Sequence, residues 1–104
     1  MKNLIINIKN LISEIDDITD LFYMQKNKLA FERFNVTLVN LSNIIDEIFR
    51  YCNNEINLEF NANNLFLSLT EGLQAMEIGD SILLADILKY EIKEQLIKFN
   101  NAVQ

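Results

Sequence analysis

One side chain in this sequence is a strong nucleophile, Cys52, and nothing accompanies it that would activate it, because the 104 residues include no histidine. A thiol attacks as its thiolate, so a cysteine without a neighbouring base behaves as a small hydrophobe. The same absence removes Ser/His/Asp and Cys/His arrangements, the Glu-x-x-His pairs of carboxylate-bridged di-iron bundles, and the imidazole ligands of zinc sites. The two glycines, Gly72 and Gly79, are too few for a phosphate-cradling loop. Paired carboxylates such as Asp16 and Asp20 remain, but acids four residues apart on a helix usually form a solvated face. Asp86 and Tyr90 share that spacing, so a carboxylate–phenol contact along one helix turn is the local polar pairing to expect. No catalytic residue, metal site or cofactor is expected, and the chain does not read as an enzyme.

Charge narrows the partners. Fifteen acids against nine bases leave a net charge of −6, which repels phosphate backbones and argues against nucleic-acid binding. The basic cluster Lys26, Lys28 and Arg33 reads as a solvated turn with a cationic helix end. A lone cysteine forms no intrachain disulfide and fits a reducing compartment. The first ten residues are too polar for a secretory signal, and no apolar run approaches the length that spans a bilayer. A cytoplasmic protein without membrane contact is the expectation.

The elements that must position these residues are written in the apolar spacing. Ile8, Leu11, Ile15, Ile18 and Phe22 recur at steps of three and four, as do Phe31, Phe34, Leu38, Leu41, Ile45, Ile48 and Cys52. At 3.6 residues per turn such positions stack on one face. Leu4 extends the first row, while Ile5 and Ile12 widen it, which suits a helix facing two neighbours. The absence of proline removes the usual punctuation of β-rich folds. Four helices are predicted, at about 2–24, 28–52, 63–78 and 80–102.

The turn at Gln25-Lys26-Asn27-Lys28 is expected to place Asn27 in a left-handed or capping conformation. Asn61 or Asn63 should cap the third helix, whose predicted seam is Ala62, Phe66, Leu69, Leu73 and Met76. Gly72 inside that helix suggests a close helix approach; Gly79 and Asp80 should end it and cap the fourth. Methionine followed by Asn27 or Gly79 recurs 52 residues apart, a short echo compatible with either duplication or shared turn chemistry. Between the hairpins, Ile56, Leu58 and Phe60 alternate with Asn57, Glu59 and Asn61. That period of two reads as an extended crossover laying apolar side chains over the bundle, the alternative being a short strand paired across a dimer. The predicted fold is all-α: an antiparallel four-helix bundle, a single domain over residues 1–104, made of two αα-hairpins joined by that crossover.

The fourth helix is apolar on two sides. At about 100° per residue, Ala85, Leu88, Ile92, Leu96, Phe99 and Val103 form one stripe, and Leu83, Ile87, Tyr90 and Ile97 another almost opposite. The second stripe is either buried within the domain or a surface for a protein partner, most simply a homodimer. Residues 75–92, with Ala75-Met76-Glu77, Asp80 and the run Leu83-Leu84-Ala85-Asp86-Ile87-Leu88-Lys89-Tyr90-Glu91, resemble the C-terminal signature of a small uncharacterised all-helical family of low-GC Gram-positive bacteria, near "AMExxDxxLLADxLxYE". The resemblance spans about a sixth of the chain; it implies a helical bundle and no particular activity. The functional expectation is a non-catalytic interaction or assembly module, with a small chaperone-like protein or a bundle binding a small apolar ligand as alternatives.

Overall fold

The computed structural model describes residues 1–55 and 58–104, and among these it contains four helices and no strand. Helix α1 spans Lys2–Tyr23 and α2 spans Asn27–Asn54. Helix α3 spans Ala62–Glu77, and α4 covers residues 81–103 in three consecutive pieces. Those pieces are α-helical Ser81–Asp86, a π-helical segment Ile87–Ile92, and α-helical Lys93–Val103.

The predicted row on α1 is the axis of the core. Ile8, Leu11, Ile15, Ile18 and Phe22 are all at most 1% exposed, because α1 packs on α2 along one side and on α4 along the other. Burying each such side chain contributes about 1.5–3 kcal/mol. On α2 the matching row is Phe34, Leu41, Ile45 and Ile48, with Ala30 and Ile44 beside it. Phe31 and Leu38 are half-buried; the Phe31 ring meets Phe22 edge-on, with centroids 4.9 Å apart. Helix α3 closes the bundle against α4 and, more slightly, α2, each helix lying beside its neighbours in sequence and α4 returning beside α1. The 28 residues of α2 rise about 42 Å at 1.5 Å per residue, matching the 42 Å long axis of the molecule.

Both hairpin turns are Schellman motifs. In the first, the Lys26 amide donates to the Leu21 carbonyl and the Gln25 amide to that of Phe22. In the second, Asp80 donates to Ala75 and Gly79 to Met76. The motif needs a left-handed residue just past the helix, and those residues are Gln25 at φ 61° and Gly79 at φ 78°. This corrects the expectation for Asn27, which instead begins α2 behind an N-cap, Lys26, that makes no side-chain capping bond. The equivalent left-handed residues of the two turns are Gln25 and Gly79, so Asn27 and Gly79, the residues of the 52-residue echo, do not play matching parts.

Asn61 caps α3, accepting a bond from the Asn63 amide at 3.0 Å, and Asp80 caps α4 through the Leu83 amide at 3.0 Å. The buried row of α3 is Ala62, Leu65, Leu69, Gly72 and Ala75, whereas Phe66 is 53% exposed. The predicted seam therefore sits one residue off at three turns: Leu65, Gly72 and Ala75 are buried where Phe66, Leu73 and Met76 are predicted, Leu73 and Met76 being half-buried, and the Phe66 ring lies edge-on to Phe49 at 6.4 Å. In the crossover, Leu58 and Phe60 are half-buried against the core, and Phe60 stacks edge-on with Phe99 at 5.3 Å. The expectation for Ile56 and Asn57 lies outside the described residues.

The π segment explains the two-sided pattern of α4. Its N-terminal half buries Leu84, Ala85, Ile87 and Leu88, and its C-terminal half buries Ile92, Leu96, Phe99 and Asn100. Projected on a regular α-helix, the centres of these two sets lie roughly one residue apart, about 100°. The i→i+5 turn absorbs that residue, so both halves face one core. A wheel drawn at constant pitch misplaces Ile87 for this reason.

Two substitutions test the backbone reading. Gln25→Gly removes left-handed strain and should raise stability by about 1 kcal/mol, while Gly79→Ala introduces it and should lower stability by a similar amount. Denaturant midpoints measured at unchanged m-value are the check; opposite signs at the two positions are expected.

Candidate interaction surface

Gly72 faces α4 across the α3–α4 seam. A methyl group added there would stand 3.5 Å from Leu84 Cδ1 and 3.6 Å from Ile87 Cγ2, which is ordinary contact. Outward of this seam lie two neighbouring open depressions that share Glu71 and Glu91 in their linings and together make up the trough between α3 and α4. The end nearer the α3–α4 turn, about 610 Å³, is lined by Ala75, Ile78, Leu83 and Ile87, with Glu77 on its margin. The end nearer the crossover, about 890 Å³, is mixed, with Glu59, Glu94 and Lys98 alongside Phe60, Leu67 and Tyr90.

The crossover end has a hydrogen-bonded floor. Gln95 Nε2 donates to Ser68 Oγ at 2.8 Å, and the Ser68 hydroxyl donates onward to Glu91 Oε1 at 3.4 Å. This chain holds the Gln95 amide so that its Oε1 is buried without a donor. Around the trough stand five carboxylates, Glu59, Glu71, Glu77, Glu91 and Glu94, and a single cation, Lys98. The ion pair found among the described residues, Lys93 with Asp16 at 2.7 Å, lies on the α1–α4 seam and does not offset them.

The second stripe of α4 is divided by the fold. Leu83 and Tyr90 are 42% and 63% exposed and border the trough, Leu83 at its turn end and Tyr90 at its crossover end. Ile87 is 4% exposed and belongs mainly to the core, and Ile97 is half-buried and lines neither depression. Sequence reasoning missed Ile78, which is 74% exposed beside Leu83. It follows the last turn of α3, where helical periodicity no longer says which way a side chain faces.

The expected Asp86–Tyr90 contact is replaced by one across the bundle. Asp86 accepts a hydrogen bond from the Tyr23 hydroxyl at the end of α1, and Lys89 Nζ lies over both the Tyr23 and Tyr90 rings, at 5.4 and 5.5 Å. Burial, then the bond to Asp86 and its charge, hold the Tyr23 phenol well above the ordinary tyrosine range. No local signal could reveal this pair, whose members are 63 residues apart. Cys52 is half-buried at the end of α2, and burial pushes its thiol up as well. Among the described residues no group of acids and cysteine is placed to hold a metal ion, and no helix is long and apolar enough to cross a membrane.

The chain belongs to a family defined by a domain of unknown function (DUF8042), which matches residues 1–102. The match thus extends far beyond residues 75–92, on which the sequence resemblance rested. No curated protein and no solved structure matches the chain.

Two measurements probe the titrating groups. A raised phenol pKa means that the native state holds a proton the unfolded chain releases near pH 10, so stability is full below that pH and falls as pH rises above it. Melting temperatures above about pH 10 should drop more steeply for the native sequence than for Tyr23→Phe. Cys52 should be alkylated more slowly in the folded protein than after unfolding at the same pH, because its thiolate is disfavoured; equal rates would contradict its half-buried setting.

Proposed function

We propose that this protein is a non-catalytic interaction module and that its contact surface is the trough between α3 and α4. The observation that carries the reading is the placement of Ile78 and Leu83, 74% and 42% exposed, side by side in a concave surface with Ala75 and Ile87 beneath. Apolar side chains scattered singly over a surface need no explanation, but a concave group of them with a polar margin is the usual form of a docking site. The residue types present offer no activated nucleophile and no imidazole acid or base. The depressions are open grooves, which suit a macromolecular partner better than the enclosed apolar pocket a small ligand would occupy.

Ile78→Glu combined with Leu83→Glu tests this. Both positions are exposed, so the melting temperature should stay within the small range typical of surface changes. A protein retained by the native chain from extract of its own cells should be lost by this variant. It should be kept by Val36→Glu with Val39→Glu, which alters the exposed apolar residues of α2. Retention by the trough variant would refute the assignment of the surface.

A further inference from the structure

The trough pairs exposed apolar residues with a margin of one charge sign, and the two together specify its occupant. Resting on the reading above, we infer that the trough binds a basic amphipathic helix of a different protein: apolar anchors seat against Ile78, Leu83 and Ile87, and lysine or arginine side chains along the flanks meet Glu71, Glu91 and Glu94.

Shape sets the first part. The trough follows α3, whose 16 residues rise about 24 Å, the length of a helix of four to five turns. A groove floored by apolar groups from two antiparallel helices is the receptor half of helix-in-groove recognition, in which anchors at i, i+3, i+4 and i+7 enter from one face. Apolar residues line both ends, Ile78, Leu83 and Ile87 towards the turn and Leu67 and Tyr90 towards the crossover, so anchors can run along the partner with its charges on the flanks.

Charge sets the second. Five glutamates surround the trough against one lysine, in a chain of net charge −6. Side chains of lysine and arginine carry donors only, which matches a margin of carboxylate acceptors. The same arrangement disfavours a second copy of this chain. A two-fold interface lays a patch on its own image, which would bring the glutamate margins together, and opposed like charges penalise association.

The probe is a labelled synthetic peptide of about 18 residues, with leucines repeating at i, i+3, i+4 and i+7 and lysines on the flanks, titrated against the full chain by fluorescence anisotropy. Binding should weaken as salt is raised. Glu71→Lys with Glu94→Lys, two exposed residues, should weaken it by about tenfold or more, as expected when charge-assisted contacts become repulsive. Equal binding of a peptide with glutamate in place of lysine would overturn the basic partner while leaving an interaction surface at the trough. Equal binding of a peptide with the same composition in scrambled order would reduce the effect to bulk charge and overturn the helix. Failure of the lysine peptide to bind the native chain overturns the inference. If light scattering then shows a dimer that Ile78→Glu with Leu83→Glu dissolves, the surface reading stands with a second copy as occupant. Unchanged peptide affinity in that apolar variant defeats both the inference and the surface it rests on.

Discussion

The buried row of α1 is the constraint on which the rest of the structure depends. Its five residues are almost wholly withdrawn from water, and that requires α2 on one flank and α4 on the other along the whole length of the helix. Apolar burial is non-directional, so by itself it would let α4 slide. Polar contacts at three levels set the register instead. Asn100 Nδ2 donates to the Ile5 carbonyl at 3.3 Å, Lys93 pairs with Asp16, and the Tyr23 hydroxyl donates to Asp86. Each is modest alone, but a slip of one turn would break all three.

With α4 held from behind by α1, its opposite flank is left for α3. Leu65, Leu69, Gly72 and Ala75 of α3 turn to the core, so the side chains of its other face stand at the outer edge. Ile78, Leu83 and the glutamates stand there because the inner seam is already closed. The exposed apolar group is thus a product of the same packing that completes the core, and the trough lies between the two helices of the second hairpin.

Much of this was legible in the chain, for identifiable reasons. The rows on α1 and α2 were readable because both helices keep one period over many turns, so the three–four spacing is repeated often enough to be unambiguous. Asn61, Gly79 and Asp80 were readable because caps depend on local chemistry that few residues supply. The seam of α3 slipped at Phe66 because a short helix with apolar residues at 65, 66, 67 and 69 fits more than one face, and the volume of Phe66 hid the fact that Leu65 fits the core better. Ile87 was misplaced because the π turn breaks the assumption of constant pitch. Gln25 was passed over for Asn27 because asparagine tolerates the left-handed region better, yet the position of the helix end, not the preference of the residue, decided which one had to adopt it.

The wide turn of α4 also bears on how the chain can change in length. Because the segment Ile87–Ile92 accommodates one residue more than a regular helix would, it is the place in the four helices where a codon can be lost without rotating the remainder of the helix. Removing one of the outward residues Lys89, Tyr90 or Glu91 would restore regular pitch and leave Ile92, Leu96 and Phe99 facing the core. The same deletion in the middle of α1 or α2 would turn the remaining helix by about 100° and expose its buried row. Sequences descended from a common ancestor with this one can therefore differ by a single residue at this point and keep the same interior, differing only in which side chain reaches the trough.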